Sequence, residues 1–181
     1  MALRTIREYG DPVLTKKAKP IKEMTPKIEA LIRDMLETLY DSGGVGLAAP
    51  QVGMLKRLVV IDISEEQNEP HILINPEIIE SDGEQKGLEG CLSVPGKSGM
   101  VTRPNHVKAR ALNEKMEPIE IEGVELMARA ICHELDHLDG KIYVDLVEGE
   151  LYDNEDLVPA EDEEDEAADM GQETEETNGE A

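Results

Sequence analysis

Residues 124–140 read VELMARAICHELDHLDG, and the rest of the chain is best understood outward from this stretch. Apolar residues recur in it at helical spacing, and Gly140 suits the position just past a helix end. A helix is therefore expected from about Val124 to Leu138. Inside it stands His133-Glu134-Leu135-Asp136-His137, an H-E-x-x-H pattern. Residues four apart share one helix face, one turn apart, so both imidazoles can reach a single ion. Glu134, beside His133, can reach a water on that ion. The pattern is short, and two surface histidines beside a solvated glutamate are the plain alternative. Leu126 and Ala130 share the face of His133 and His137, however, and a core-facing helix keeps titratable groups off that face unless they are bound. Asp136 and Asp139 fall in the last turn, where negative charge opposes the helix dipole. That points to a packing role for them, or to a frayed end.

A catalytic metal site needs a third protein ligand and one open position. Beyond His137 there is no long helix to carry a glutamate ligand, and His137 is the last histidine. The third ligand is therefore sought upstream. Cys91 lies in Glu89-Gly90-Cys91-Leu92-Ser93-Val94-Pro95-Gly96, read as a loop shaped by small residues and proline. Its thiolate can complete a Cys-His-His set, and a cysteine of the core is the alternative. Cys132 is about 100° round the helix from His133 and reads as a small buried side chain. A third element, Gly44-Val45-Gly46-Leu47-Ala48-Ala49-Pro50-Gln51-Val52-Gly53, lets backbone approach a ligand closely. It lacks the ending of a phosphate loop and fits equally a turn packed on the core.

Charge is unevenly placed along the 181 residues. Residues 148–181 hold 16 acidic and no basic residues, whereas residues 1–147 carry a net charge of only −7. The tail has too little apolar surface to offset its chain entropy and is expected to be mostly disordered, with a short acidic helix near 149–158 as the alternative. The negative balance argues against a nonspecific nucleic-acid binder. No apolar run approaches the roughly 20 residues of a membrane span. The start, MALRTIREYG, has no secretory h-region, so a cytoplasmic location with reduced thiols is expected.

Thr25 and Pro26 read as N-cap and first residue of another helix, whose stripe is Ile28, Leu31, Ile32, Met35, Leu36 and Leu39. Ser42-Gly43-Gly44 ends it. Strands are expected at Arg57–Ile63, at His71–Ile74 and Glu77–Glu80 with Asn75-Pro76 as a break, and at Val107–Leu112 and Ile119–Ile121 around an Asn113–Glu117 turn. Without β-α-β alternation the fold class is α+β: antiparallel sheets packed around the metal-binding helix. One domain, residues 1–147, precedes the tail, residues 148–181. With no Phe or Trp, its core must be Leu, Ile, Val and Met.

Gly44–Gln51, Glu89–Ser93 and His133–His137, in this order, together resemble the motifs of the peptide deformylase family. Tyr9-Gly10-Asp11-Pro12-Val13-Leu14 and Leu73-Ile74-Asn75-Pro76 are similar to the family as well, and the likeness spans residues 3–147. The resemblance implies hydrolysis of the N-formyl group from the formyl-methionine end of new polypeptides, releasing formate. It implies Cys91, His133 and His137 as ligands of one divalent ion, Fe(II) first, with Zn, Ni or Co able to substitute. Metal-bound water would be the nucleophile and Glu134 the general acid and base. Gln51, through its amide, and Leu92, through its backbone N–H, would donate to the oxyanion. Val45, Gly46 and Gly90 would pair with substrate backbone, while Val45, Leu126 and Ala130 would surround the methionine side chain. Glu89 and Arg103 either pair to fix the cysteine loop or stay solvated. Nascent formyl-methionyl polypeptides are the implied partner, with no direct nucleic acid and no membrane. Transient ribosome association through a basic C-terminal helix, used by some members, conflicts with the acidic end of this chain. Lys97-Ser98-Gly99 also lacks an arginine that some members place there.

Two other readings stand beside this one. An H-E-x-x-H metallopeptidase requires a downstream helical ligand. A structural metal domain requires a fourth ligand, for which Cys132, His106 and His71 are the candidates.

Overall fold

Helix α1, Pro26–Ser42, starts where Thr25 accepts a hydrogen bond from the Ile28 N–H and ends at Gly43, whose φ of 71° is left-handed. Ile28, Leu31, Ile32, Met35 and Leu39 are buried along one stripe, as their spacing predicts. The computed structural model describes residues 2–157. Among the described residues eight strands occur in chain order: β1 (Gly46–Ala48), β2 (Leu58–Ile61), β3 (His71–Asp82), β4 (Gln85–Cys91), β5 (Val94–Arg103), β6 (His106–Leu112), β7 (Pro118–Val124) and β8 (Tyr152–Asp153). Helix α2 is Glu125–Leu138, following β7 directly.

All strand pairs are antiparallel. One sheet runs β1-β2-β3-β6-β7 and the other β4-β5-β8. Side chains of a strand alternate between faces, and β2 shows the consequence. Val59 and Ile61 pack toward α2 with Leu73, Val107, Ala109 and Ile131. Leu58 and Val60 pack toward α1 with Met35, Leu39 and Leu47. The larger sheet is thus covered on both faces, which explains the unbroken apolar run of β2. A third cluster, Leu14, Val94, Val101, Ile142 and Tyr143, seats the smaller sheet. The result is a small α+β domain with two helices and antiparallel sheets.

The structure departs from the sequence reading in four places. Asn75-Pro76 does not break the strand: β3 runs through it with a register shift between Ile74 and Glu77. Asn75 takes a φ of 50°, and its amide exchanges two hydrogen bonds of 2.8 Å with the Ile21 backbone. Gly46–Ala48, part of the glycine-rich turn, is a strand at the sheet edge. Gln85–Cys91 and Val94–Arg103 are strands, so Cys91 ends a strand of a hairpin and does not sit in an isolated loop. Finally, residues 148–157, placed in the disordered tail, are built onto the domain. The Glu148 N–H donates to the Met100 carbonyl at 2.8 Å, and β8 pairs with Lys97 and Ser98 of β5. Lys97 is ion-paired with Asp153, and the Ser98 hydroxyl bonds Asn154 at 2.7 Å. The remainder of the expected tail, 158–181, lies outside the described residues. No described helix is long and apolar enough to cross a membrane.

These contacts predict that truncation after Val147 lowers the melting temperature by a few degrees relative to truncation after Leu157. Calorimetry of the two truncations checks this, and equal melting temperatures would contradict the packing of β8.

Candidate metal centre

α2 and the β4–β5 hairpin bring the chemistry together. Cys91, His133 and His137 each offer a ligand atom within 4.8 Å of the others. The Cys91 Sγ lies 3.3 Å from the His137 Nε2. Bonds from one ion to a thiolate and two imidazoles would separate tetrahedral donors by roughly 3.3–3.6 Å, so the set fits a single divalent ion. Nδ1 of His133 is engaged at 2.6 Å by Glu89 Oε1, which leaves its Nε2 for the ion.

Glu89 is the joint of the site. Its Oε1 accepts from His133 and from Arg103 Nη2 at 2.6 Å. Its Oε2 accepts from Arg129 Nη1 at 2.7 Å and Arg103 Nε at 3.1 Å. Burial works to raise the Glu89 pKa, but the hydrogen bonds from His133 and Arg103 outweigh it and hold the carboxyl at about 2. Arg103 also reaches Asp136 at 2.6 Å, and Arg57 reaches Asp139 at 3.0 Å. The two aspartates that oppose the α2 dipole are therefore matched by arginines, Arg103 at the end of β5 and Arg57 just before β2. Tyr143 stacks on His133 at a ring distance of 6.0 Å.

Glu134 is 4% exposed, and its Oε2 has no hydrogen-bond partner among the described residues. Burial pushes its pKa up to about 7, the range of a group that exchanges protons near neutrality. Gly46 lies against it: a Cβ there would fall 2.4 Å from Glu134 Oε1. Burial, and then the neighbouring His133 charge, push His137 down to about 3, which favours the neutral ring a metal requires. Burial also disfavours the charged His133 ring, but hydrogen bonds with Cys91 and Glu89 carry its pKa up to about 10, so an ion taking its Nε2 releases a proton. The orphaned carboxylate oxygen, the oriented imidazole and the Cys-His-His donors all suit a bound divalent ion and its water.

The site opens into a cleft of about 390 Å³. Val45, Gly46, Gln51, Gly90, Cys91, Leu92, Leu126, Ala130, His133 and Glu134 all line it. His137 lies behind, 1% exposed. Gln51 is fixed by the Ala48 N–H on its Oε1 at 2.9 Å, and its Nε2 donates to Ser93 Oγ at 3.1 Å. That same Nε2 stands 3.5 Å from Cys91 Sγ. Val45, Leu88 and Leu126 are 40–49% exposed at the cleft, an apolar rim. β1 and β4, which flank the opening, are each the edge strand of their sheet.

Two lining residues went unread in the sequence, Leu88 and Arg129. An arginine one turn before His133 on the apolar helix face was the available signal. Cys132 is not part of the site. It lines a different cleft with Arg103 and Asp136, and burial pushes its thiol up to about 11. His106 has its nitrogens on Asp82 and Glu122 at 2.8 and 2.6 Å, and His71 begins β3. Neither joins the cluster, and no fourth donor does so among the described residues. After α2 the described residues form 3-10 turns and β8, so a downstream helical ligand is lacking as well.

Arg103 is 6% exposed and holds two carboxylates. Its replacement by alanine strands buried charge and is expected to cost about 3–5 kcal/mol of stability, measured by denaturant unfolding. A loss below about 1 kcal/mol would show that the network is not under this tension.

Comparison with known proteins gives the family and the fold. Residues 3–151 match the family model described as polypeptide deformylase. A peptide deformylase of Lachnoclostridium phytofermentans is 65% identical over 153 residues, which is 84% of this chain and 94% of the relative. One from Agathobacter rectalis is 68% identical, again over 84% of this chain and over 95% of the relative. Among solved structures, a peptide deformylase from Legionella pneumophila superimposes with a TM-score of 0.79 at 44% identity, covering 81% of this chain and 86% of that one. On the strength of a match across nearly all its described residues, the chain belongs to the peptide deformylase family.

Proposed function

We propose that Cys91, His133 and His137 hold the catalytic ion of this enzyme and that Glu134 moves the proton during formyl hydrolysis. The activity itself follows from family membership: the enzyme removes the N-formyl group from nascent polypeptides. The family is metal-dependent, and the convergence of three donors at an open cleft is the observation that carries the reading.

When bound, the ion supplies an acidified water and polarises the formyl carbonyl. Glu134 accepts a proton from water and delivers it to the departing amine nitrogen, for which its pKa of about 7 is well suited. Gln51 Nε2–H and the Leu92 N–H donate to the oxygen that gains negative charge; loss of one such donor costs about 10²–10³ in rate. The carbonyl-side partner of Gln51, the Ala48 N–H, keeps the amide from turning its acceptor toward that oxygen. Substrate backbone adds as a short strand between the free edges of β1 and β4, pairing with Val45, Gly46 and Gly90. The methionine side chain lies between Val45, Leu126 and Ala130.

Fe(II) is the proposed native ion. Zn, Ni and Co satisfy the same donors, and a thiolate with two imidazoles suits zinc. The catalytic domain, proposed as residues 1–147, extends structurally through Leu157, leaving 158–181 as an acidic extension. That extension supplies no basic residue for docking at the ribosome, so transient contact there must use another surface. With nascent chains as substrate, the enzyme is proposed to work in the cytoplasm.

Metal content and formate release from a formyl-Met peptide test the assignment together. Cys91→Ala is expected to lose the ion and with it turnover, whereas Glu134→Ala keeps a stoichiometric ion and loses turnover by at least about 10³-fold. Retention of the ion by Cys91→Ala would overturn the ligand set. Gly46→Ala intrudes on Glu134 and is expected to lower kcat about tenfold or more with metal content unchanged. Wild-type kcat in that variant would show that Glu134 is not held by this contact.

A further inference from the structure

The geometry points to Arg129 as a specificity-determining residue that lets the cleft accept formyl-methionine sulfoxide, the oxidised form of the initiator side chain, besides formyl-methionine. This inference rests on the proposed side-chain pocket and extends it.

The cleft is not uniformly apolar. Val45, Leu88, Leu92, Leu126 and Ala130 form its walls, but Arg129 and Glu89 line it too. Arg129 is 8% exposed. It sits on α2 one residue before Ala130 and one turn before His133, and all three line the cleft. Its guanidinium is anchored and not free to swing away. Nη1 donates to Glu89 Oε2 at 2.7 Å, and Nη1 and Nη2 both donate to the Val101 carbonyl at 3.2 Å. Gly87, two residues before Glu89 on the same face of β4, clears space for it: a Cβ there would lie 3.3 Å from Nη2.

A guanidinium has five N–H donors. Three are used in these contacts. Nε–H and one N–H of Nη2 have no partner among the described residues. These two N–H groups, on a residue that lines the cleft with Leu88, Leu126 and Ala130, are left for a ligand that brings an acceptor. The thioether of methionine is a weak acceptor and fits the apolar walls. Oxidation of that sulfur converts the same unbranched side chain into a polar, chiral sulfoxide. A purely apolar pocket would reject the sulfoxide, because its oxygen would lose water without compensation. An anchored Arg129 offsets that loss. The reaction is unchanged: water cleaves the formamide C–N bond, formate leaves, and the sulfoxide stays intact on the freed amine.

The test compares holoenzyme kinetics on three otherwise identical formyl peptides that begin with methionine, methionine sulfoxide and norleucine. Norleucine has the shape of methionine and no acceptor. The inference expects kcat/KM for the sulfoxide within about tenfold of norleucine, with one sulfoxide epimer preferred because the donor is fixed in direction. Arg129→Met is expected to lower the sulfoxide value about tenfold or more relative to norleucine, mainly through KM, and Arg129→Lys to restore part of it. A wild-type enzyme that disfavours both epimers by 100-fold or more against norleucine would overturn the inference without relying on any variant. So would an equal effect of Arg129→Met on both peptides. Failure to hydrolyse the methionine peptide at all would instead strike the function reading on which the inference rests.

Discussion

The packing around the candidate site depends on one buried carboxylate, Glu89. It is 5% exposed and stands two residues before Cys91 on β4. It receives hydrogen bonds from Arg103 on β5 and from both Arg129 and His133 on α2. A buried carboxylate is stable only when so compensated. That requirement joins the smaller sheet to the helix, and the sulfur donor is delivered to the imidazoles as a consequence. The same contact fixes which nitrogen of His133 remains for an ion. One ion-pair network thus sets the tertiary packing and the ligand geometry together.

The reactive end of the site follows from how the two sheets end. β1 closes one sheet and β4 the other, and both leave an unpaired edge at the cleft. Edge strands are a hazard when long and apolar. Here β1 is three residues long and the cleft-lining segments are glycine-bearing, so the exposed backbone is short and aimed at one groove. Gly46 also permits the close approach of Glu134, which keeps the carboxylate buried beside the ligands. On the proposed reading, recognition of backbone, proton transfer and ion binding are therefore supplied by adjacent positions.

The sequence disclosed the helices and their chemistry because helical spacing is local. The α1 stripe from Ile28 to Leu39 and the H-E-x-x-H pair need no knowledge of distant residues. Cys91 was legible as a donor by elimination of downstream ligands and by family likeness. β1, β4 and β5 were less legible. Gly46, Gly87, Gly90 and Gly99 deprive these strands of β-branched patterning, and their pairing is set by tertiary partners. Asn75-Pro76 looked like a break because the amide bonds to Ile21, 54 residues away, are invisible locally. The competing readings of Glu89 and Arg103, paired or solvated, are separated only by burial. The acidity of 148–157 likewise hid a segment whose charges meet Lys86 and Lys97.

The central claim is a single ion held by one sulfur and two imidazole nitrogens, with a further place open to the cleft. X-ray absorption at the metal edge of the zinc-substituted enzyme tests it most directly. The account predicts one sulfur scatterer at about 2.3 Å and two imidazole nitrogens at about 2.0–2.1 Å, with an additional light atom that exchanges when a formyl-peptide analogue is added. Two sulfurs, or a fourth protein ligand that no analogue displaces, would contradict it.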